Sequence, residues 1–247
     1  CLAYATECDP GCDVEPPPPD NQPPAISHVL NCTQNGINGW CIGNLSLDLT
    51  ASDPQGSQVI ISGDVNGTAF ACPTGNTTCS VQLPEGAGNT NYKVDASTTG
   101  LFATGTTNYL LDSSTPQLNG SISGVVGTNN WYKSNVTLSV VSNDLISGIA
   151  SATVSVDGGA QTAYSTPIVL TDGIHTVILL ATDNAGHVTQ TTQSINIDAV
   201  TPVLNISLSG TMGLNNWYIS NVTITPSIND SGSGLAKLEV SQDGSAF

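Results

Sequence analysis

Three observations predict that this chain is all-β and built as tandem sandwich modules. A nine-residue phrase, Asn129-Asn130-Trp131-Tyr132-Lys133-Ser134-Asn135-Val136-Thr137, returns 86 residues later as Asn215-Asn216-Trp217-Tyr218-Ile219-Ser220-Asn221-Val222-Thr223. Apolar and polar residues alternate at period two, with turn signals about every 8–12 residues. No stretch has helical periodicity. About seven short strands in the 86 residues of the second repeat match an immunoglobulin-like β-sandwich, and a fixed period of this length means repeated modules rather than one large fold.

Residues 1–24 stand outside the pattern. Cys1, Cys8 and Cys12 lie among small polar residues and are followed by Pro16-Pro17-Pro18-Pro19 and Pro23-Pro24. That proline density favours an extended polyproline spacer. Three Cys cannot all pair with one another. Cys8 and Cys12 are a candidate pair, and the third is free, bonded to another chain or, if Cys1 is the mature terminus, lipidated.

Module one spans 25–112 and carries a blurred copy of the phrase, Asn38-Gly39-Trp40-Cys41-Ile42-Gly43-Asn44-Leu45-Ser46, so all three Trp residues sit in it. Two close Cys pairs mark this module. Cys32 and Cys41 flank a glycine-containing turn between its first two strands, and Cys72 and Cys79 close a Pro73-Thr74-Gly75-Asn76 hairpin. Each expected disulfide closes a small loop, contributes about 2–3 kcal/mol through loop entropy, and implies an oxidising compartment.

Module two spans 113–198. After a leading strand over 116–123, Val136, Leu138 and Val140 share one strand face. Ala152, Val154 and Val156 repeat the alternation before the hairpin turn Asp157-Gly158-Gly159. Residues 167–170 form a short apolar run, Asp172-Gly173 a further turn, and 175–181 a long apolar strand. The last strand runs through Ile195 and Ile197 to Asp198. Module three, 199–247, holds only the first strands, and 27 of 50 positions of 198–247 match 112–161 without a gap. Half a sandwich exposes its inner face and strand edges. Either the sequence is a fragment of a longer array or another chain supplies the missing strands. The lack of a good donor strand in 1–23 favours the fragment.

Nineteen acids face only Lys93, Lys133 and Lys237, with no Arg, for a formal charge of −16. Such a chain repels nucleic acid and anionic lipid. No apolar run approaches the ~18 residues of a membrane helix. Nine glycosylation sequons begin at Asn31, Asn44, Asn66, Asn76, Asn119, Asn135, Asn205, Asn221 and Asn229; abundant Asn, Ser and Thr also produce them by composition, and use requires a glycosylating host.

The strings Asp198-Ala199-Val200-Thr201-Pro202-Val203-Leu204-Asn205, Asn215-Asn216-Trp217-Tyr218 and Asn229-Asp230-Ser231-Gly232-Ser233-Gly234-Leu235-Ala236 resemble bacterial immunoglobulin-like surface repeats of the OmpL47 type. So does Ala181-Thr182-Asp183-Asn184-Ala185-Gly186-His187-Val188. The resemblance covers 112–247 well and 25–111 weakly. It implies stalks or spacers of secreted or cell-surface proteins, sometimes attached to hydrolases, and no activity of its own.

For cation chemistry, the loops after the second and sixth strands of such a sandwich lie at the end where the chain enters. Asp112 in the entering linker, Asn143-Asp144 and Asp183 are therefore candidate Ca²⁺ ligands, with Asp198 and Asp230 at the matching places of module three. Module one has Asp53, but Ser97 where module two has Asp183. The competing reading is that these side chains cap turns. The Trp is expected to plug one end of its sandwich, with a sugar-stacking platform as the alternative. His28, His175 and His187 are too scattered for a metal triad. No nucleophile elbow or zinc-protease motif is present.

The sequence thus predicts a non-enzymatic extracellular or cell-surface structural protein: a stalk, adhesin or filament subunit. It needs no cofactor other than the candidate Ca²⁺, and its partners are neighbouring copies or further repeats. A glycan- or protein-binding module and the accessory repeats of a larger secreted hydrolase are the alternatives.

Overall fold

In the computed structural model, residues 19–241 and Gly244 are described. Cys1, the candidate pair Cys8 and Cys12, and most of the proline run lie outside them. The chain divides into two compact units, 1–113 and 114–247. No helix among the described residues is long and apolar enough to cross a membrane.

Unit 1 contains β1 (Ala25–Cys32), β2 (Leu45–Ser52), β3 (Val59–Val65), β4 (Thr68–Ala71), β5 (Thr78–Gln82), β6 (Gly86–Ala96) and β7 (Phe102–Leu111). They form two antiparallel sheets, β1-β2-β5 and β4-β3-β6-β7. The period-two pattern decides what lies between them. Leu45, Leu47 and Leu49 of β2 point inward and share one core with Val59, Ile61, Val94 and Leu111. Burying each such side chain stabilises the fold by roughly 1.5–3 kcal/mol. Tyr92 on β6 reaches across the sandwich, its hydroxyl 2.6 Å from Nδ1 of His28 on β1. Opposite Tyr92 in the ladder stands Gly105, where a Cβ would lie 2.3 Å from the tyrosine ring. That ring therefore requires glycine as its neighbour.

Both expected disulfides of this unit are formed. Cys32 is joined to Cys41 and Cys72 to Cys79, with Cα separations of 5.7 and 6.0 Å. Cys41 and Cys72 belong to the core itself.

Unit 2 repeats the plan with β8 (Gln117–Ser123), β9 (Trp131–Tyr132), β10 (Val136–Asn143), β11 (Ile149–Val156), β12 (Thr162–Ala163), β13 (Ile168–Leu170), β14 (Gly173–Asp183) and β15 (Val188–Ile197). The sheets are β13-β10-β8 and β12-β11-β14-β15-β9. Val136, Leu138, Val154, Leu170, Val177, Leu179, Ile195 and Ile197 fill the space between them. The Asp157-Gly158 turn closes the end of β11 with positive φ at both residues, 53° and 74°, as a type I′ hairpin requires. Both units are immunoglobulin-like β-sandwiches.

After Asp198 the chain makes β16 (Val203–Ser209) and β17 (Thr223–Asn229), paired antiparallel along their length. Leu204, Leu208 and Ile224 are 51, 53 and 58 % exposed. One period earlier, Leu118, Ile122 and Leu138 pack in the core of unit 2. The apolar face of this ribbon is therefore laid out as a core and remains open.

Candidate functional site

The thrice-written phrase has a local cause. Asn129 and Asn130 have φ of 51° and 63°, Asn215 and Asn216 57° and 63°, and Asn38 and Gly39 53° and 80°. Two successive left-handed residues make a type I′ turn, which Asn and Gly enter at the lowest steric cost. The same hydrogen bonds close each copy. Trp131 N–H donates to Thr128 O at 3.0 Å, and Trp131 O accepts Gly127 N–H at 2.7 Å. Trp40 repeats this with Ile37 and Gly36, and Trp217 with Leu214 and Gly213. Ser134 Oγ accepts Val125 N–H at 2.9 Å, and Ser220 Oγ accepts Thr211 N–H at 2.8 Å. The phrase is a small polar hairpin whose turn is closed by its own backbone hydrogen bonds.

In unit 2 the outgoing arm of that hairpin is β9, which pairs in parallel with the end of β15. Its two side chains face opposite ways. Tyr132 packs on the core, whereas Trp131 stays half-exposed. The expected plug is thus Tyr132 and not Trp131, because alternation along a strand sends only one of the two inward. Trp131 lines a cleft of about 350 Å³, whose walls also include Asn129, Tyr132, Lys133, Asp198 and Ser233.

The acidic residues form loop-anchored sets. Asp144 Oδ1 accepts the N–H groups of Ile146, Ser147 and Gly148 at 2.9–3.0 Å. Asp183 closes β14 and is fully buried; its Oδ1 accepts Gly186 N–H at 2.6 Å and His187 N–H at 2.9 Å. Asp183 Oδ2 is buried without a hydrogen-bond partner among the described residues. Oxygens of Asp144 and Asp183 lie within 4.8 Å of one another. Asn143 sits exposed at the end of β10 in register with Gln117. Asp112 follows β7, is buried, and donates its N–H to Cys41 O at 2.9 Å.

Asp198 is the counterpart of Asp112, and its N–H donates to Tyr132 O at 2.8 Å. Its Oδ2 accepts both the N–H and the hydroxyl of Ser233, at 2.7 and 2.6 Å. Those bonds, the Ser233 hydroxyl first, hold its carboxyl below the usual carboxylate range. Asp230 Oδ1 accepts Gly232 and Gly234 N–H, both at 3.1 Å, as Asp144 does one period earlier.

Asp20 is a further member of this series. Asp20 Oδ2 accepts the Ser57 hydroxyl at 2.5 Å, and the Asn21 and Gln22 N–H groups donate to Gln55 Oε1 at 2.8 and 3.0 Å. The loop it docks on is led by Asp53, whose Oδ1 accepts Gln55 and Ser57 N–H. The signal was available: Asp20 precedes Pro24 by the interval that separates Asp112 from Pro116 and Asp198 from Pro202. The strand ends also place Ala96, not Ser97, at the position of Asp183, since β6 and β14 each run eleven residues from a glycine of positive φ.

The sequon asparagines are all exposed, but two amides are already engaged. Asn31 Nδ2 bonds Asp48, and Asn66 Nδ2 donates to the Tyr109 hydroxyl at 2.9 Å. Of the histidines, His28 meets Tyr92, and His175 Nδ1 lies 2.8 Å from Asp157.

No protein-family model matches the chain, and no curated protein sequence matches it. Solved structures similar to it include fibronectin(III)-like modules of CbhA from Clostridium thermocellum, 15 % identical, with a TM-score of 0.30 over 69 % of this chain and 93 % of that one. Another is SGBP-B from Bacteroides ovatus, solved with a mixed-linkage heptasaccharide: 13 % identity, TM-score 0.27, 77 % of this chain and 74 % of that one. Dimeric latent PorU from Porphyromonas gingivalis is 12 % identical, with a TM-score of 0.29 over 86 % of this chain and 30 % of that one.

Proposed function

We propose that this chain is a non-enzymatic structural repeat of the cell exterior, a stalk or spacer of the bacterial immunoglobulin-like surface type. The observation that supports this most is the fate of the repeated phrase. It forms the same backbone-closed hairpin turn three times, which supports a structural use. Two disulfides suit an oxidising compartment, and three lysines without arginine leave few sites for trypsin-like proteases. Stability in such an array is roughly a sum over modules and their neighbours.

The test is topological. Antibodies against residues 25–198 should label intact source cells, and Cys32, Cys41, Cys72 and Cys79 should resist alkylation in freshly lysed cells. Labelling that requires permeabilisation, or four alkylated thiols, overturns the reading.

A second reading, glycan binding, rests on the half-exposed indole of Trp131 beside its cleft, since aromatic faces pack well on apolar sugar faces. A glycan array probed with the wild type and Trp131→Ala separates the two.

A further inference from the structure

We infer that unit 2 holds a Ca²⁺ ion between the loop that follows β10 and the end of β14, with the Asp144 and Asp183 carboxylates as its protein ligands. This goes beyond the structural role proposed above and stands or falls separately from it. The observation that carries it is not the presence of acids but the state of one oxygen. Asp183 is fully buried, its Oδ1 is held by Gly186 and His187 N–H groups, and its Oδ2 has no hydrogen-bond partner among the described residues. A buried carboxylate oxygen left without a donor is costly. Here it shares its surroundings with a second carboxylate.

The spacing suits one shared ion. Oxygens of Asp144 and Asp183 lie within 4.8 Å of one another, and two oxygens each about 2.4 Å from a common Ca²⁺ are separated by at most about 4.8 Å. Without a cation, the same approach sets two like charges together in a partly desolvated site. The loops also fix the geometry in advance. Three N–H groups hold Asp144 Oδ1 and two hold Asp183 Oδ1, so both carboxylates are oriented before an ion arrives. An oxygen-only pair selects a hard cation, and water completes the shell of six to eight ligands. In unit 1 the place of Asp183 is taken by Ala96, so the same pair does not exist there.

The whole chain is titrated with CaCl₂ by calorimetry and melted in 10 mM CaCl₂, 10 mM MgCl₂ and EDTA. With the millimolar affinity common in extracellular modules, the melting transition of unit 2 should rise by about 3–6 °C in Ca²⁺. Asp144→Asn keeps an oxygen for the three N–H groups and should remove both the heat and the rise. Asp183→Asn tests the second ligand, and because it risks the fold, Asp144→Asn carries the decision. Equal melting in Ca²⁺ and EDTA overturns the site, as does a full Ca²⁺ response in Asp144→Asn.

Discussion

Ser233 gives one oxygen of Asp198 both of its donors, the N–H at 2.7 Å and the hydroxyl at 2.6 Å. Ser57 makes the hydroxyl half of the same arrangement with Asp20, at 2.5 Å. In each case an aspartate ahead of a module's first strand clasps the loop after its second. The clasp is charge-assisted, so truncating it should free the loop locally. Asp198→Ala is expected to speed hydrogen exchange at Ser233 by about tenfold or more, with exchange at Leu138 and Leu179 unchanged. The carboxyl of Asp198 is held low mainly by the Ser233 hydroxyl. Its contribution is therefore present above the ordinary aspartate pKa and lost as pH falls through the lowered one, so acid should mimic the variant. Exchange at Ser233 that ignores both the substitution and acid contradicts the clasp.

The disulfides divide the chain unequally. All Cys of the sequence lie at or before position 79, so reductant acts on unit 1 and spares the sandwich of unit 2. Cys32–Cys41 closes a separation of nine residues and Cys72–Cys79 one of seven. Each loss costs about 2–3 kcal/mol in the loop-entropy model. Cys41 is also a core residue whose N–H bonds Leu110 O, so Cys41→Ser should cost more than Cys79→Ser. Calorimetry with and without reductant should show one transition moving down and the other staying. A common shift of both would contradict the division.

Much of this fold was written in period two. Leu45, Leu47 and Leu49, or Val136 and Leu138, announce which strand face is buried, and the Cys spacings announce the bridges. What escaped the sequence was non-local. Alternation says that Trp131 and Tyr132 face opposite ways but not which of them faces in; that depends on β9 pairing in parallel with the end of β15, where Trp131 meets Asn196 and Tyr132 meets Ile197. Tyr92 and His28 meet only because two sheets stack. Asp20 was masked by the prolines around it. Of the candidate cation ligands, Asp144 and Asp183 come together, whereas the neighbouring Asn143 faces solvent as the last residue of its strand. Sequence adjacency within a strand puts alternate side chains on opposite faces.

The His175–Asp157 pair gives unit 2 a pH dependence of its own. His175 Nδ1 lies 2.8 Å from Asp157 Oδ2, and His175 Nε2 lies 2.9 Å from Thr171 O. The hydrogen bond to Asp157 raises the imidazole, and the same bond lowers the carboxyl. The raised histidine contributes fully below its unfolded pKa of ~6.5 and loses that contribution as pH rises through the folded value. The lowered aspartate contributes above ~3.9 and loses it in acid. The pair is therefore strongest between about pH 4 and 6.5. Melting of unit 2 should fall between pH 6 and 8 in the wild type, and that slope should flatten in His175→Gln. An equal slope in both proteins would remove the pair as its cause.

Sequons of equal sequence quality are structurally unequal. Asn66 stands in the β3–β4 turn at φ 50°, its Nδ2 donating to the Tyr109 hydroxyl and its Oδ1 accepting Asn89 N–H, both at 2.9 Å. Tyr109 is a core residue, 3 % exposed. A sugar on that nitrogen would have to displace a bond that ties the turn to the core. Asn135 is exposed, and its side-chain amide makes no hydrogen bond among the described residues. Asn221 repeats it 86 positions on. In a host that glycosylates, folded protein should therefore carry sugar at Asn135 and Asn221 and little at Asn66. Enzymatic release of the glycans in heavy-oxygen water converts each occupied Asn to labelled Asp, which mass spectrometry reads site by site. Full occupancy of Asn66 in protein that still melts cooperatively would show that the Tyr109 bond is dispensable.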